Sequence, residues 1–286
     1  MTDASGAPAR ESGKRTPARW PFAPEPDPAE ACPSGPGASS TLAAQLIVLA
    51  KAPVPGRVKT RLTPPFTPQE AATLAEAALV DTLEAGASAS FARHLLFLDD
   101  QRAAPGTLRA ELPARFEVSP QRGRGLDERI AAAFDDAYAQ LAVPVVLIGM
   151  DTPQVTPGLL ETVAQPLAAG DADAVFGPAE DGGFWLLGLR RPDAQLILGV
   201  PMSADHTGRV QLDRLRDAGL RVRQVPELLD VDTAEDAERV ASQARGSRFA
   251  ATLAALIPGG QDQPALTGRH HQARPAPVDD TVAVPG

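Results

Sequence analysis

The chain has 286 residues, 43% of them hydrophobic, enough for one large core or two small ones. A net charge of −9 and a pI near 5.0 argue against a general nucleic-acid binder, so no nucleic-acid partner is expected. The single cysteine, Cys32, excludes an intrachain disulfide and a cysteine-based metal site. Any metal then falls to carboxylates, a donor set that suits Mg2+ or Mn2+.

Residues 1–40 contain eight prolines and four glycines and few large apolar side chains, the composition of a disordered arm. The tail 258–286 reads the same way. Between them, 41–257 is expected to form one compact domain. No apolar run reaches membrane-spanning length, and the first, Leu42 to Ala50, starts too far into the chain for an ordinary signal peptide. A cytoplasmic protein without a membrane span is the expectation.

Leu46 to Ala50 is a continuous apolar strand that breaks into a loop with Pro53, Pro55 and Gly56. That loop carries Lys51, Arg57, Lys59 and Arg61 and no acid. A strand running into a rigid basic loop is how α/β proteins present a phosphate site at the carboxyl edge of a sheet. Proline limits the loop's freedom, and Gly56 can take positive φ or let a ligand approach the backbone. The spacing is not that of a nucleotide-triphosphatase P-loop. The bland alternative is a solvated cationic loop.

Thr67, Pro68 and Glu70 predict a capped helix running to about Ala85 and ended by Gly86. His94 to Leu98 reads as a strand, followed by a short strand near Phe116–Val118. Gln121 to Gly125 is a second basic, flexible loop, with Gly123 as a candidate substrate contact. A helix over Leu126–Leu141 follows, with Leu126, Ile130, Ala133, Phe134, Ala137 and Leu141 on one face. Val145 to Met150 is another buried strand, ending on Asp151. Helix 157–169 and the strand Ala174–Gly177 come next.

Glu180-Asp181-Gly182-Gly183 is a tight turn into the strand Phe184–Leu189. A helix at about 208–218 and the strand Arg221–Val225 follow. The core closes with Leu229 to Thr233, which carries Asp230 and Asp232 after this late strand, then a helix capped by Thr233 and a last helix over Arg248–Leu256. Strands and helices alternate, and the strands are apolar throughout. That predicts an α/β fold, a mainly parallel sheet covered by helices on both faces.

Three features should converge at one sheet edge: the basic loop, Asp151, and the Asp230/Asp232 pair. Cations bind phosphates there, and carboxylates plus phosphates make a hard oxygen cage for a divalent ion. Asp151 alone would otherwise be a helix cap, and so would Asp230 or Asp232. In the turn, Gly182 and Gly183 would let a substrate lie against the backbone while Asp181 meets it. The alternative there is a plain hairpin.

The runs AKAPVPGRVKTRL, GMDTP, FGPAEDGGFWLLGL and DVDTAED, in this order over about 45–240, resemble the DUF2064 proteins. These are bacterial members of the nucleotide-diphospho-sugar transferase (glycosyltransferase A) superfamily, some associated with arsenosugar biosynthesis. The resemblance implies a GT-A-like, three-layer Rossmann-like sandwich and a sugar-nucleotide transferase. It also matches Asp151 to the family's metal-site aspartate and Asp232 to a second acidic position. The opening is distantly similar to 2-phospho-lactate guanylyltransferases and departs from the Gly-rich opening of sugar-nucleotide pyrophosphorylases.

Three functions stay open. The first is a metal-dependent glycosyltransferase with a nucleotide-sugar donor and a small-molecule acceptor. Lys51, Arg57, Lys59 and Arg61 would then hold the diphosphate, Asp151 and Asp232 the metal, and Asp181 the acceptor or sugar. The second is a nucleotidyltransferase that uses a nucleoside triphosphate and releases pyrophosphate. The third is a non-catalytic nucleotide-binding module.

Overall fold

A computed structural model describes residues 41–257. The arms expected to be disordered, 1–40 and 258–286, lie outside the described residues. The strands are β1 (Leu42–Ala50), β2 (Phe91–Leu98), β3 (Phe116–Pro120), β4 (Val145–Ile148), β5 (Ala174–Pro178), β6 (Phe184–Leu189) and β7 (Val222–Gln224). The helices are α1 (Pro68–Ser88), α2 (Gly106–Glu111), α3 (Leu126–Gln140), α4 (Pro157–Ala168), α5 (Thr207–Asp217), α6 (Ala234–Gln243) and α7 (Arg248–Leu256).

The seven strands form one sheet in the order β3-β2-β1-β4-β6-β5-β7. All pairings are parallel except those of β6, which runs antiparallel to β4 and β5. The order reverses beside β1, between β2 and β4, and such a switch point leaves a crevice at the carboxyl ends of the strands. Alternate residues of β1 face opposite layers. Leu46, Val48 and Ala50 pack with α1 and α4, while Ile47 packs with Ile130, Phe134 and Ala137 of α3. The sheet is thus the middle of three layers, buried on both faces, which is why its strands are apolar without alternation. A third apolar cluster joins Leu62, Leu74 and Ala78 to Val240, Phe249 and Leu253 and pins α6 and α7 outside α1.

Local sequence explains most helix starts. Thr67 and Glu70 form a capping box on α1, and Thr233 and Asp236 form one on α6. The expected stop at Gly86 is not observed: α1 continues to Ser88, with Ala89 as its C-cap. Gly86 is instead a point of close packing, where a Cβ would come within 2.8 Å of Leu46. One further expectation changes: Leu126 and Leu141 are exposed rather than buried at the two ends of α3. The segment carrying Asp230 and Asp232 follows β7 as irregular chain, held by the bridge between Ala179 and Leu228 and by further backbone bonds to its neighbours.

Candidate active site

A cleft of about 610 Å3 opens at the carboxyl ends of β1 and β4 and beside the β5–β6 turn. Lys51, Arg57, Lys59, Arg61, Asp151, Asp181, Gly183, Asp230 and Asp232 line it. Gly56, Gly123 and Gly182 are not among these lining residues; all three take positive φ, 74°, 122° and 87°, as expected for Gly56. The basic loop is held in place by backbone and apolar anchors. Ala52 N–H donates to Asp99 Oδ1 at 2.7 Å, and Val58 and Leu62 are buried on either side of Lys59. Lys59 itself is left-handed, φ 47°, at the head of a single 3-10 turn over Thr60–Leu62.

That backbone drives the Lys59 side chain inward. Its ammonium, with a side chain only 9% exposed, lies 2.7 Å from Asp151 Oδ2 and 3.3 Å from Asp232 Oδ1. Burial pulls the Lys59 ammonium down, but Asp151 and Asp232 outweigh it and hold it above its ordinary value. Arg61 reaches the other oxygen of Asp232 at 2.7 Å from the solvent side, and Arg57 pairs with Asp100 at 3.2 Å. Three of the loop's four cations, Arg57, Lys59 and Arg61, thus pair with carboxylates, and of these only Lys59 is buried.

The carboxylates come from three places. Asp151 follows β4, and its carbonyl accepts Val231 N–H at 3.0 Å, which ties the Asp230–Asp232 segment to that strand end. It is not a helix cap: Thr156 caps α4. Asp232 is not a cap either, since Thr233 caps α6. Asp181 accepts Gly183 N–H at 2.7 Å, so it does shape the turn as a plain hairpin would require. Yet Asp181, Asp230 and Asp232 each place a carboxylate oxygen within 4.8 Å of the others. Asp230 Oδ1 is buried with no hydrogen-bond donor. Burial first, then the Asp151 and Asp181 charges, push the Asp230 carboxyl up to about 7, with Lys59 opposing. Oxygen donors converging with one left unpartnered fit a hard divalent cation.

The turn carrying Asp181 is locked to the segment before α5. A Cβ on Gly182, φ 87°, would lie 1.9 Å from the Asp205 carbonyl oxygen, and Gly208 N–H donates to Gly182 O at 2.8 Å. This contact brings Asp205 and Thr207 into the cleft wall, which also includes Gln121, just after β3, and Leu126 and Arg129 from the start of α3. None of these five was singled out as a site residue from sequence. The two glycines hinted at close approach, but only the fold reveals to what. Gln121 and Leu126 had a retrievable signal: the first opens the second basic loop and the second opens the helix directly after it.

Among the described residues no helix is long and apolar enough to cross a membrane. No curated protein matches the chain. Among solved structures, a protein of Desulfovibrio desulfuricans G20, provisionally described as a nucleotide-diphospho-sugar transferase, aligns at 28% identity with a TM-score of 0.66, over 74% of this chain and 92% of its own. A cytidylyltransferase of Leptospira borgpetersenii aligns at 13% identity and TM-score 0.46, over 75% and 93%. Protein Rv0371c of Mycobacterium tuberculosis H37Rv aligns at 22% and 0.43, over 70% and 98%. The first of these alignments, with the sheet order above, places the chain among GT-A-like α/β sandwiches. The family model of uncharacterized proteins conserved in bacteria, DUF2064, matches residues 82–204, a stretch that contains the GMDTP and FGPAEDGGFWLLGL motifs of the resemblance seen in the sequence.

Proposed function

We propose that this chain is a glycosyltransferase that takes a nucleotide-diphospho-sugar donor with Mg2+ or Mn2+ and passes the sugar to a small-molecule acceptor. The observation that carries this reading is the joining, in one cleft, of four cations from the loop after β1 with three convergent carboxylates. Cations alone suit any anion, and carboxylates alone suit any cation. A diphosphate that arrives with a divalent ion needs both. The similarity at 28% identity to a protein described as a nucleotide-diphospho-sugar transferase supports the same class.

In this reading Lys51, Arg57 and Arg61 bind the diphosphate at the sheet edge, in charge-assisted contacts. Asp181, Asp230 and Asp232 hold the divalent ion, with Asp151 next to them. When bound, that ion supplies positive charge to the departing nucleoside diphosphate. Asp181, exposed on a turn fixed by its own bond to Gly183, faces the sugar or the acceptor. The departure from the Gly-rich opening of sugar-nucleotide pyrophosphorylases weighs against that form of nucleotidyl transfer, and the distant similarity of the opening to 2-phospho-lactate guanylyltransferases keeps nucleotidyl transfer as the second reading.

One assay decides. The protein is incubated with Mn2+ and panels of nucleotide sugars and nucleoside triphosphates, with small hydroxylated acceptors. Release of nucleoside diphosphate is the expected result. Release of pyrophosphate would replace this reading by nucleotidyl transfer, and tight binding without turnover would replace it by a binding module.

A further inference from the structure

Lys59 is in the wrong place for a simple phosphate ligand. Its ammonium does not point to open cleft but is buried between Asp151 and Asp232. Its backbone is left-handed, a conformation that a non-glycine residue keeps only where the surroundings enforce it. The flanking Val58 and Leu62 are buried and fix that backbone, leaving the four-carbon side chain as the part that can move.

The charges around Lys59 do not balance. Asp151, Asp181 and Asp232, with Asp230 beside them, meet two directly bonded cations, Lys59 and Arg61, while Lys51 and Arg57 line the same cleft without an ion pair to any of the four. Lys59 spends its bonds on Asp151 and Asp232 and leaves Asp230 Oδ1 buried without a donor. An ammonium at this position therefore satisfies the carboxylates in part, whereas a divalent ion brings the missing charge.

We propose, resting on the metal-dependent reading above, that Lys59 is an exchangeable tethered counter-ion. It holds Asp151 and Asp232 together in the metal-free protein, gives them up when a divalent ion enters, and swings onto the phosphates of the donor. One residue then has two alternative partners of the same charge sign, and metal and donor phosphate favour each other's binding. The metal releases the ammonium, and the phosphate offers it a new partner.

The test measures binding of Mn2+ alone, as the chloride, to the full chain and to Lys59→Met, by calorimetry. A competitor's removal raises affinity, so Lys59→Met should bind Mn2+ about tenfold tighter or more. Equal or weaker binding by a folded Lys59→Met overturns the proposal while leaving the metal site standing. No Mn2+ binding by either protein overturns the metal-dependent reading and the proposal with it. Should Lys59→Met not fold, wild type still decides. Lys59 and the exposed Lys51 are acetylated with a succinimidyl ester and quantified by peptide mass spectrometry, with and without saturating Mn2+. Lys59 should react severalfold faster, relative to Lys51, when Mn2+ is bound. Unchanged relative reactivity under Mn2+ shown to bind by calorimetry refutes the exchange.

Discussion

Replacing Asp151 by Asn separates a carboxylate that matters for charge from one that merely caps a helix. If Asp151 were a cap, Asn would serve about as well and stability would hold. In the structure it pairs instead with Lys59 at 2.7 Å, and the Lys59 side chain is 9% exposed. Removing one partner of a buried pair costs about 3–5 kcal/mol. That figure must be reduced, because the Asp151 side chain keeps 30% exposure and Asp232 remains 3.3 Å from the ammonium. We expect Asp151→Asn to lose about 1–3 kcal/mol, a drop in Tm of roughly 3–10 °C for a chain of this size. Asp100→Asn is the control. It breaks the exposed Arg57 pair, with side chains 55% and 36% exposed, while an amide oxygen can still accept Ala103 N–H, so it should change stability far less than Asp151→Asn does. Guanidinium and thermal denaturation of the three proteins, in chelator, provide the comparison. If Asp151→Asn is no less stable than Asp100→Asn, the Lys59 pair contributes nothing net and the reasoning fails.

Other outcomes follow from the same geometry. Gly182→Ala puts a methyl 1.9 Å from the Asp205 carbonyl at φ 87°, so it should push the segment before α5 away and weaken nucleotide-sugar binding about tenfold or more; unchanged affinity by calorimetry would show that this contact does not shape the cleft. His94 is buried against Phe91 and Phe116, and burial holds its imidazole below the ordinary 6.5, partly opposed by the Ala89 carbonyl. The unfolded chain therefore binds the extra proton first: stability due to neutral His94 is complete above about pH 6.5 and falls as pH drops below it. His94→Gln should flatten that part of the stability curve between pH 7 and 5, as read by urea midpoints, and an identical curve would place the acid sensitivity elsewhere. Asp81 accepts both Arg248 N–H and Phe249 N–H at the start of α7, so Asp81→Ala should cost about 1–2 kcal/mol and raise hydrogen exchange in α7 alone. Uniform exchange across the chain would mean that α7 is not held by that bond.

What the sequence determined is largely what short-range chemistry controls. The apolar runs of β1, β2 and β4 require burial on both faces, and that alone implies a mainly parallel sheet between helix layers. Thr67-Pro68-Gln69-Glu70 and Thr233-Ala234-Glu235-Asp236 carry their own helix starts, because a cap is made within four residues. The convergence of the basic loop with Asp151 and Asp232 was legible too, since strand ends of a parallel sheet share one edge. Pairings across long sequence gaps were not legible. That Lys59 meets Asp151 and Asp232, 92 and 173 residues away, depends on a left-handed backbone angle and on burial that no local pattern encodes. Gly86 has the composition of a helix stop, but packing against Leu46 and Phe116 overrode it. Tertiary structure likewise decided that Asp181 joins the Asp230/Asp232 pair, and that Asp205 enters the cleft through its contact with Gly182. Residue type and spacing fix which groups are available, and only packing fixes which of them share a few ångströms of space.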